Sequence, residues 1–280
     1  MALCKIFIFR LLLLTGLCLA GGTVSDSFKE CSQFFYMHTV PTGIRGDNLK
    51  RICQRYGDKL RYATLYDSSR RLALYSAYTF KKSDGQRRMD TPWMYEPQRI
   101  HHITLSIYCC CSVNMSFYMV FDCPLNPDQH QADNQDKAAT YTLTNVVPQI
   151  TDLLEGPWAI YIDTVRRRLN NFCRGAAYVV TGVTVSGVTI RRGREDRMAI
   201  PKHLWSTYCC PRFDRNSPYD VRYMFPTYAA YALNEIVGHS VTEVPLKALE
   251  TFLKNQTGMD KSVNIFFKDC LTENTHTNSK

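Results

Sequence analysis

The chain has no internal repeat, no low-complexity tract and no C-x-x-C pair. The first two absences exclude a solenoid of stacked units and point to an ordinary globular core. The third, with no suitably spaced histidines, leaves a zinc knuckle unsupported although the chain holds 12 cysteines. Long apolar runs are scarce as well. The N-terminal one, Leu11–Leu14, follows Lys5 and Arg10 and gives way to Ala20, Gly21 and Gly22. A run that short, broken by glycine, reads as a cleaved signal peptide over 1–20 rather than a membrane anchor.

What is present fits export. Removing 1–20 takes Cys4 and Cys18 and leaves ten of the 12 cysteines. Disulfides are the default for cysteine in a secreted chain. Cys31, Cys53, Cys173, Cys209, Cys210 and Cys270 form an even set able to make three bridges, whose pairing spacing alone does not give. The same cleavage removes two positive charges from the formal +9, leaving about +7. A basic surface suits a polyanionic partner, because Lys and Arg displace counterions from phosphates. Asn114 and Asn255 lie in N-x-S/T sequons. A chain of 280 residues is large enough for one domain with a sizeable core.

Along the chain, residues 21–58 form an arm with Cys31 and Cys53 and a helical stretch expected at Asn48–Tyr56. Tyr62–Tyr66 and Leu72–Phe80 alternate like two strands of a hairpin turned by Asp67–Arg71. Lys81–Asp90 is a charged loop. Val179–Val188 reads as another strand pair with Arg191–Arg197 as a charged connection, and Ser217–Asp220 as a turn. Pro226–Glu235 is aromatic and apolar and should be buried. Leu246, Leu249 and Leu253 mark one face of a helix over Leu246–Asn255. Residues 269–280 make a polar tail.

The centre of the chain is Asp136–Leu169. Tyr141–Val147 alternates bulky and hydroxylated residues, as a half-buried strand does, and Pro148 ends it. Pro157 suits a first helical turn, where its missing N–H costs nothing. Trp158, Tyr161, Ile162, Val165 and Leu169 then define an apolar helical face beside Arg166, Arg167 and Arg168.

TLTNVVPQ, followed by DL-x-EGPW and an arginine-rich helix, resembles the DNA/RNA non-specific endonucleases, the ββα-metal (His-Me finger-like) nucleases, in a secreted branch. RYATLYDSSRRLALYSAY (Arg61–Tyr78), PWMYEPQ (Pro92–Gln98), YVVTGV (Tyr178–Val183) and IPKHLWSTYCC (Ile200–Cys210) agree with it. The resemblance implies an α+β fold, a central antiparallel sheet flanked by helices, with an endonuclease-like domain over 59–268. It stops at Gln98 and resumes at Leu125. Between them, Ile103–Phe121 carries no charge. Its Ser, Thr and Asn content, three adjacent cysteines and few leucines argue against a transmembrane helix. A buried strand pair is a further alternative, but residues 99–124 are read as an aberrant segment, from altered splicing or a mispredicted exon.

The resemblance also implies phosphodiester hydrolysis by a general-base histidine and one Mg²⁺ held through water and an asparagine. Here the base position of the family's Arg-Gly-His-x-x-Pro motif is Pro124, which has no titratable group. The asparagine position is Leu154 and the position of the glutamate supporting the metal waters is Ile162, neither of which offers the hard oxygen that magnesium prefers. Glu155 is adjacent, but one residue along a helix turns a side chain by about 100°. His130, His101 and His102 read as surface histidines rather than replacement bases. Arg166, and Arg87 or Arg88 in the charged loop, occupy expected phosphate-contacting positions, and Asn145 is expected to hold the strand–turn geometry. The leading expectation is a secreted nuclease-fold protein that binds nucleic acid with a degenerate site. The alternatives are an active Mg²⁺-dependent endonuclease and a protein-interaction module with no nucleic-acid role.

Overall fold

The structure, a computed structural model, describes residues 22–86, 93–94, 124–257 and 262–271, and the backbone of 119–120. The signal-peptide reading, Arg87, Arg88, His101, His102 and nearly all of 99–124 lie outside these residues. The fold is α+β. Eight antiparallel strands form one sheet in the order β1-β2-β3-β4-β7-β8-β9-β10. In chain order they are β1 Thr23–Ser25, β2 Leu49–Tyr56, β3 Lys59–Asp67, β4 Leu72–Phe80, β7 Ala177–Arg192, β8 Glu195–Cys209, β9 Thr227–Leu233 and β10 Val241–Val244. A separate ribbon pairs β5 Met119–Val120 with β6 Gln149–Ile150.

Side chains alternate across the sheet, and both faces are covered. Tyr62, Tyr66, Tyr78, Val179, Leu204 and Tyr208 belong to one apolar cluster, with helices α2 Thr151–Glu155 and α3 Pro157–Phe172. Ala63, Leu65, Ala77, Val180 and Trp205 belong to a second cluster on the other face. That face is closed by the 3-10 helix Lys29–Phe34 and by helix α5 Leu246–Thr257, whose Leu246, Leu249 and Leu253 are buried as the spacing predicts. Two-sided burial explains why β4 is buried at eight of its nine positions instead of at alternate ones.

The predicted hairpin is β3–β4. Its turn is organised by the Asp67 carboxylate, which accepts from the Ser69 and Arg70 backbone N–H groups at 3.0 and 3.1 Å. Three expectations need correcting. Asn48–Tyr56 is not a helix: its residues form β2, with Ile52 in one core and Cys53 in the other. Val179–Val188 is not a strand pair but the inner part of β7, which turns at Gly193 (φ +63°) and returns as β8, so Arg191–Arg197 spans the strand ends as well as the turn. Tyr141–Val147 is not a strand: Leu143–Asn145 is a single 3-10 turn between isolated bridges at Thr142 and Val146.

Three disulfides close the structure: Cys31–Cys53, Cys173–Cys210 and Cys209–Cys270. They use the six cysteines grouped by sequence. Among the described residues no helix is long and apolar enough to cross a membrane.

Candidate functional site

The turn that replaces the expected strand is built around Asn145. Its Oδ1 accepts from Ser76 Oγ at 2.8 Å and from the Asn126 N–H at 3.1 Å. Its Nδ2 donates to Asn126 O at 3.1 Å and to Thr140 O at 2.9 Å. Its own carbonyl accepts from the Leu125 N–H at 2.8 Å. A carboxamide has two donor hydrogens and two acceptor lone pairs, so this fully buried side chain is saturated. It ties β4, the Leu125–Asn126 segment and the end of α1 (Asn134–Ala139) to one point. Pro124 reaches the same turn through an antiparallel bridge to Val146.

Beyond the turn, α2 and α3 meet at Gly156, where a Cβ would stand 2.5 Å from Asp152 O. Only glycine fits that approach. Pro157 then occupies the first helical position, as expected. The predicted apolar face of α3 is buried: Trp158, Tyr161, Ile162, Val165 and Leu169 all enter the first core cluster. Leu154 (9% exposed) and Ile162 (7%) lie in that same cluster, while Glu155 faces solvent.

His130 is not a surface residue. It is fully buried, with Phe80 edge-on at 5.3 Å between ring centroids. Nε2 lies 2.9 Å from Ile162 O, and Nδ1 lies 2.9 Å from Tyr78 Oη. A carbonyl can only accept, so Nε2 carries the proton and Nδ1 accepts from the Tyr78 hydroxyl. Burial pushes the imidazole pKa down to about 4, against a smaller upward pull from the Ile162 carbonyl. Both nitrogens are occupied within the core, and the ring is neutral at pH 7.

Arg166 of α3 is also engaged. Arg166 Nε and Nη2 contact Asp163 Oδ1 at 2.9 and 2.7 Å, and Nη1 donates to Ser83 O at 2.9 Å. The 81–86 loop lies across the guanidinium at Gly85 (φ +81°), where a Cβ would stand 2.6 Å from Arg166 Nε. The same loop is anchored on its other side. Lys137 Nζ donates to Gln86 O at 2.7 Å, and Lys81 and Arg61 both pair with the buried Asp136 carboxylate. Arg166 is therefore about 13% exposed at its side chain and paired with Asp163, whose other oxygen pairs with Arg167 at 3.0 Å.

Residues 125–264, half of the 280-residue chain, match the sequence model of the DNA/RNA non-specific endonucleases. The chain belongs to the DNA/RNA non-specific endonuclease family. It is 29% identical over 210 residues to human Endonuclease domain-containing 1 protein, a match covering 68% of this chain and 40% of that protein. The mouse protein of that name is 28% identical over 204 residues, covering 65% and 39%. The match thus spans about two fifths of these relatives. A solved structure of the EndoG/EndoGI complex superposes with TM-score 0.49 at 15% identity, over 81% of this chain and 87% of that one.

The non-specific endonucleases are metal-dependent, and the residues in question here are Leu154, Ile162 and Asn145. They do not fit a magnesium site. Leu154 and Ile162 supply buried hydrocarbon, and the Asn145 amide has no free lone pair. Among the described residues no group of three or more His, Cys, Asp or Glu side chains could hold an ion. The structure places Leu154, Ile162 and Arg166 on or beside α3 and Asn145 in the 3-10 turn bonded to β4, while Glu155 faces solvent. One neighbour was not singled out from sequence: His239 Nε2 lies 3.8 Å from Asp152 Oδ2. Nothing in the local pattern NEIVGHS signals this approach, which depends on the loop after β9.

Proposed function

We propose that this is a secreted protein that uses a non-specific endonuclease fold to bind nucleic acid and does not hydrolyse it. The observation that carries the reading is chemical. The positions that resemble the family's base, metal ligand and metal-supporting residue are Pro124, Leu154 and Ile162, and the last two pack in the apolar core. Side chains in that setting neither abstract a proton nor offer an oxygen to Mg²⁺. His130 is no substitute, because taking up a proton would put an unpaired charge inside the core. Nucleic-acid binding rests on the basic surface and on Arg87, Arg88 and Arg166 as phosphate contacts. For Arg166 this requires opening the Ser83 contact or sharing the guanidinium with Asp163. Secretion is supported by the N-terminal apolar run and by three disulfides.

The test is plasmid nicking by the purified chain in Mg²⁺ with an EDTA control, together with retention of the same plasmid over a salt series. The expected result is no EDTA-sensitive nicking and a steep loss of retention with salt. EDTA-sensitive nicking would overturn the non-hydrolytic reading and direct attention to Glu155. Neither nicking nor retention would leave the protein-interaction alternative.

A further inference from the structure

The segment between β8 and β9 is tied to the C-terminal end of α3, the end opposite Leu154. The Arg174 N–H donates to Arg212 O at 2.8 Å and the Asp214 N–H to Phe172 O at 2.8 Å. It carries the short helix α4 Tyr219–Arg222. On this helix and just after it, Tyr219 is 76% exposed and Tyr223 is 54% exposed, with ring centroids 6.4 Å apart. Tyr223 is set by Tyr228, edge-on at 5.7 Å. The Arg222 guanidinium lies over the Tyr219 ring at 5.9 Å and is held there by a 3.2 Å bond from Nη1 to Arg215 O. Arg212, Arg215 and Arg222 are exposed, and none has a carboxylate in ion-pairing reach among the described residues. Against these three guanidiniums stands the exposed Asp220, since Asp214 is paired with Arg174 at 2.6 Å.

Two exposed aromatic rings, one with Arg222 over one of its faces, beside surplus guanidinium charge form the arrangement that holds an unpaired strand: bases stack on rings and the backbone follows the cations. A protein partner would also accept exposed tyrosines, but the positive surplus favours a polyanion. We propose that the Tyr219–Tyr223 surface, with Arg212, Arg215 and Arg222, is a binding site for single-stranded nucleic acid. It shares no residue with the region around Asn145 and Arg166, and it requires bases that are not already stacked in a duplex.

The test is fluorescence anisotropy of the full secreted chain with labelled oligo(dT) of about 15 nucleotides, beside the plasmid retention above. Tyr219→Ala with Tyr223→Ala should weaken oligo(dT) binding about tenfold or more. The Tyr219→Phe, Tyr223→Phe pair, which keeps both rings, should stay within about twofold of the parent. Plasmid retention should be unchanged in both. Equal oligo(dT) affinity of the alanine and parent proteins would overturn the site while leaving duplex binding intact. Absence of oligo(dT) binding, with self-association lost in the alanine variant, would overturn it in favour of a protein interface.

Discussion

The state of His130 can be measured directly, and it separates a core residue from a replacement base. The free imidazole titrates near 6.5, and burial lowers this to about 4 in the folded protein. Between these values the unfolded chain binds a proton that the folded chain refuses, so folding stability falls as pH falls. The loss begins below about pH 6.5 and is complete once the folded group also protonates near pH 4. At about 1.4 kcal/mol per pH unit, this one residue removes about 3 kcal/mol between pH 7 and pH 4. Other groups act in the same direction: Asp84 and Asp214, with carboxyls held low by a backbone N–H and by Arg174, and His203, lowered by burial. The comparison must therefore be with His130→Gln, which removes the titration and leaves those groups in place. Urea unfolding with disulfides intact, at pH 7, 6, 5 and 4, should give a smaller pH-dependent loss for the variant by about 3 kcal/mol. Its stability at pH 7 will also be lower, because the bonds to Tyr78 and Ile162 O are disturbed. Parallel pH profiles for the two proteins would refute a buried neutral ring. A titration of the His130 ring by NMR with a midpoint near 6.5 would do the same.

Asn145→Ala removes four hydrogen bonds and leaves Ser76 Oγ, Thr140 O and the Asn126 amide groups to find new partners; a loss of about 3–5 kcal/mol in urea unfolding is expected. A loss under about 1 kcal/mol would show that the turn does not depend on it. Leu154→Asn with Ile162→Glu should restore Mg²⁺ affinity in calorimetry without restoring cleavage, and should lower stability because both sites are in the core. No gain in affinity over the parent chain would sink that expectation. Replacing Cys173 and Cys210 by alanine opens a closure across 37 residues and should cost about 3–4 kcal/mol, with a shift of the thermal midpoint as the readout.

Much of the fold was legible because its signals are local. Proline and glycine at the head of α3, the leucine spacing of α5 and the β3–β4 hairpin each follow from the chemistry of adjacent residues. The misreadings share one cause, partners that lie far along the chain. Leu49–Tyr56 becomes a strand because β1 and β3 flank it and both of its faces find a core. The hydroxyls that made Tyr141–Val147 resemble a strand include Thr142, whose Oγ1 instead bonds Ala139 O at 2.9 Å, just as Thr140 Oγ1 bonds Lys137 O at 2.7 Å. His130 sits in a polar run, but its partners are 52 and 32 residues away. At the candidate site the sequence alone shows that Pro124, Leu154 and Ile162 carry neither a titratable group nor a side-chain oxygen; that Leu154 and Ile162 pack in the core required the fold. That Arg166 is already clasped by Asp163 and Ser83, and that Tyr219 and Tyr223 share an exposed surface, required the fold.

Cys209 and Cys210 are neighbours at the end of β8, yet they bond in opposite directions. Cys210 and its partner Cys173 belong to the core cluster that contains α3, whereas Cys209 and Cys270 belong to the one that contains α5. Adjacent strand residues face opposite sides, so exchanging the two pairings would require β8 to slide by one position, carrying Trp205 and Tyr208 to the wrong cores. The oxidised pattern is therefore a covalent record of strand register. Assigning which of the two adjacent sulfurs bonds Cys173, by fragmentation between Cys209 and Cys210, reads out the alignment of the central sheet.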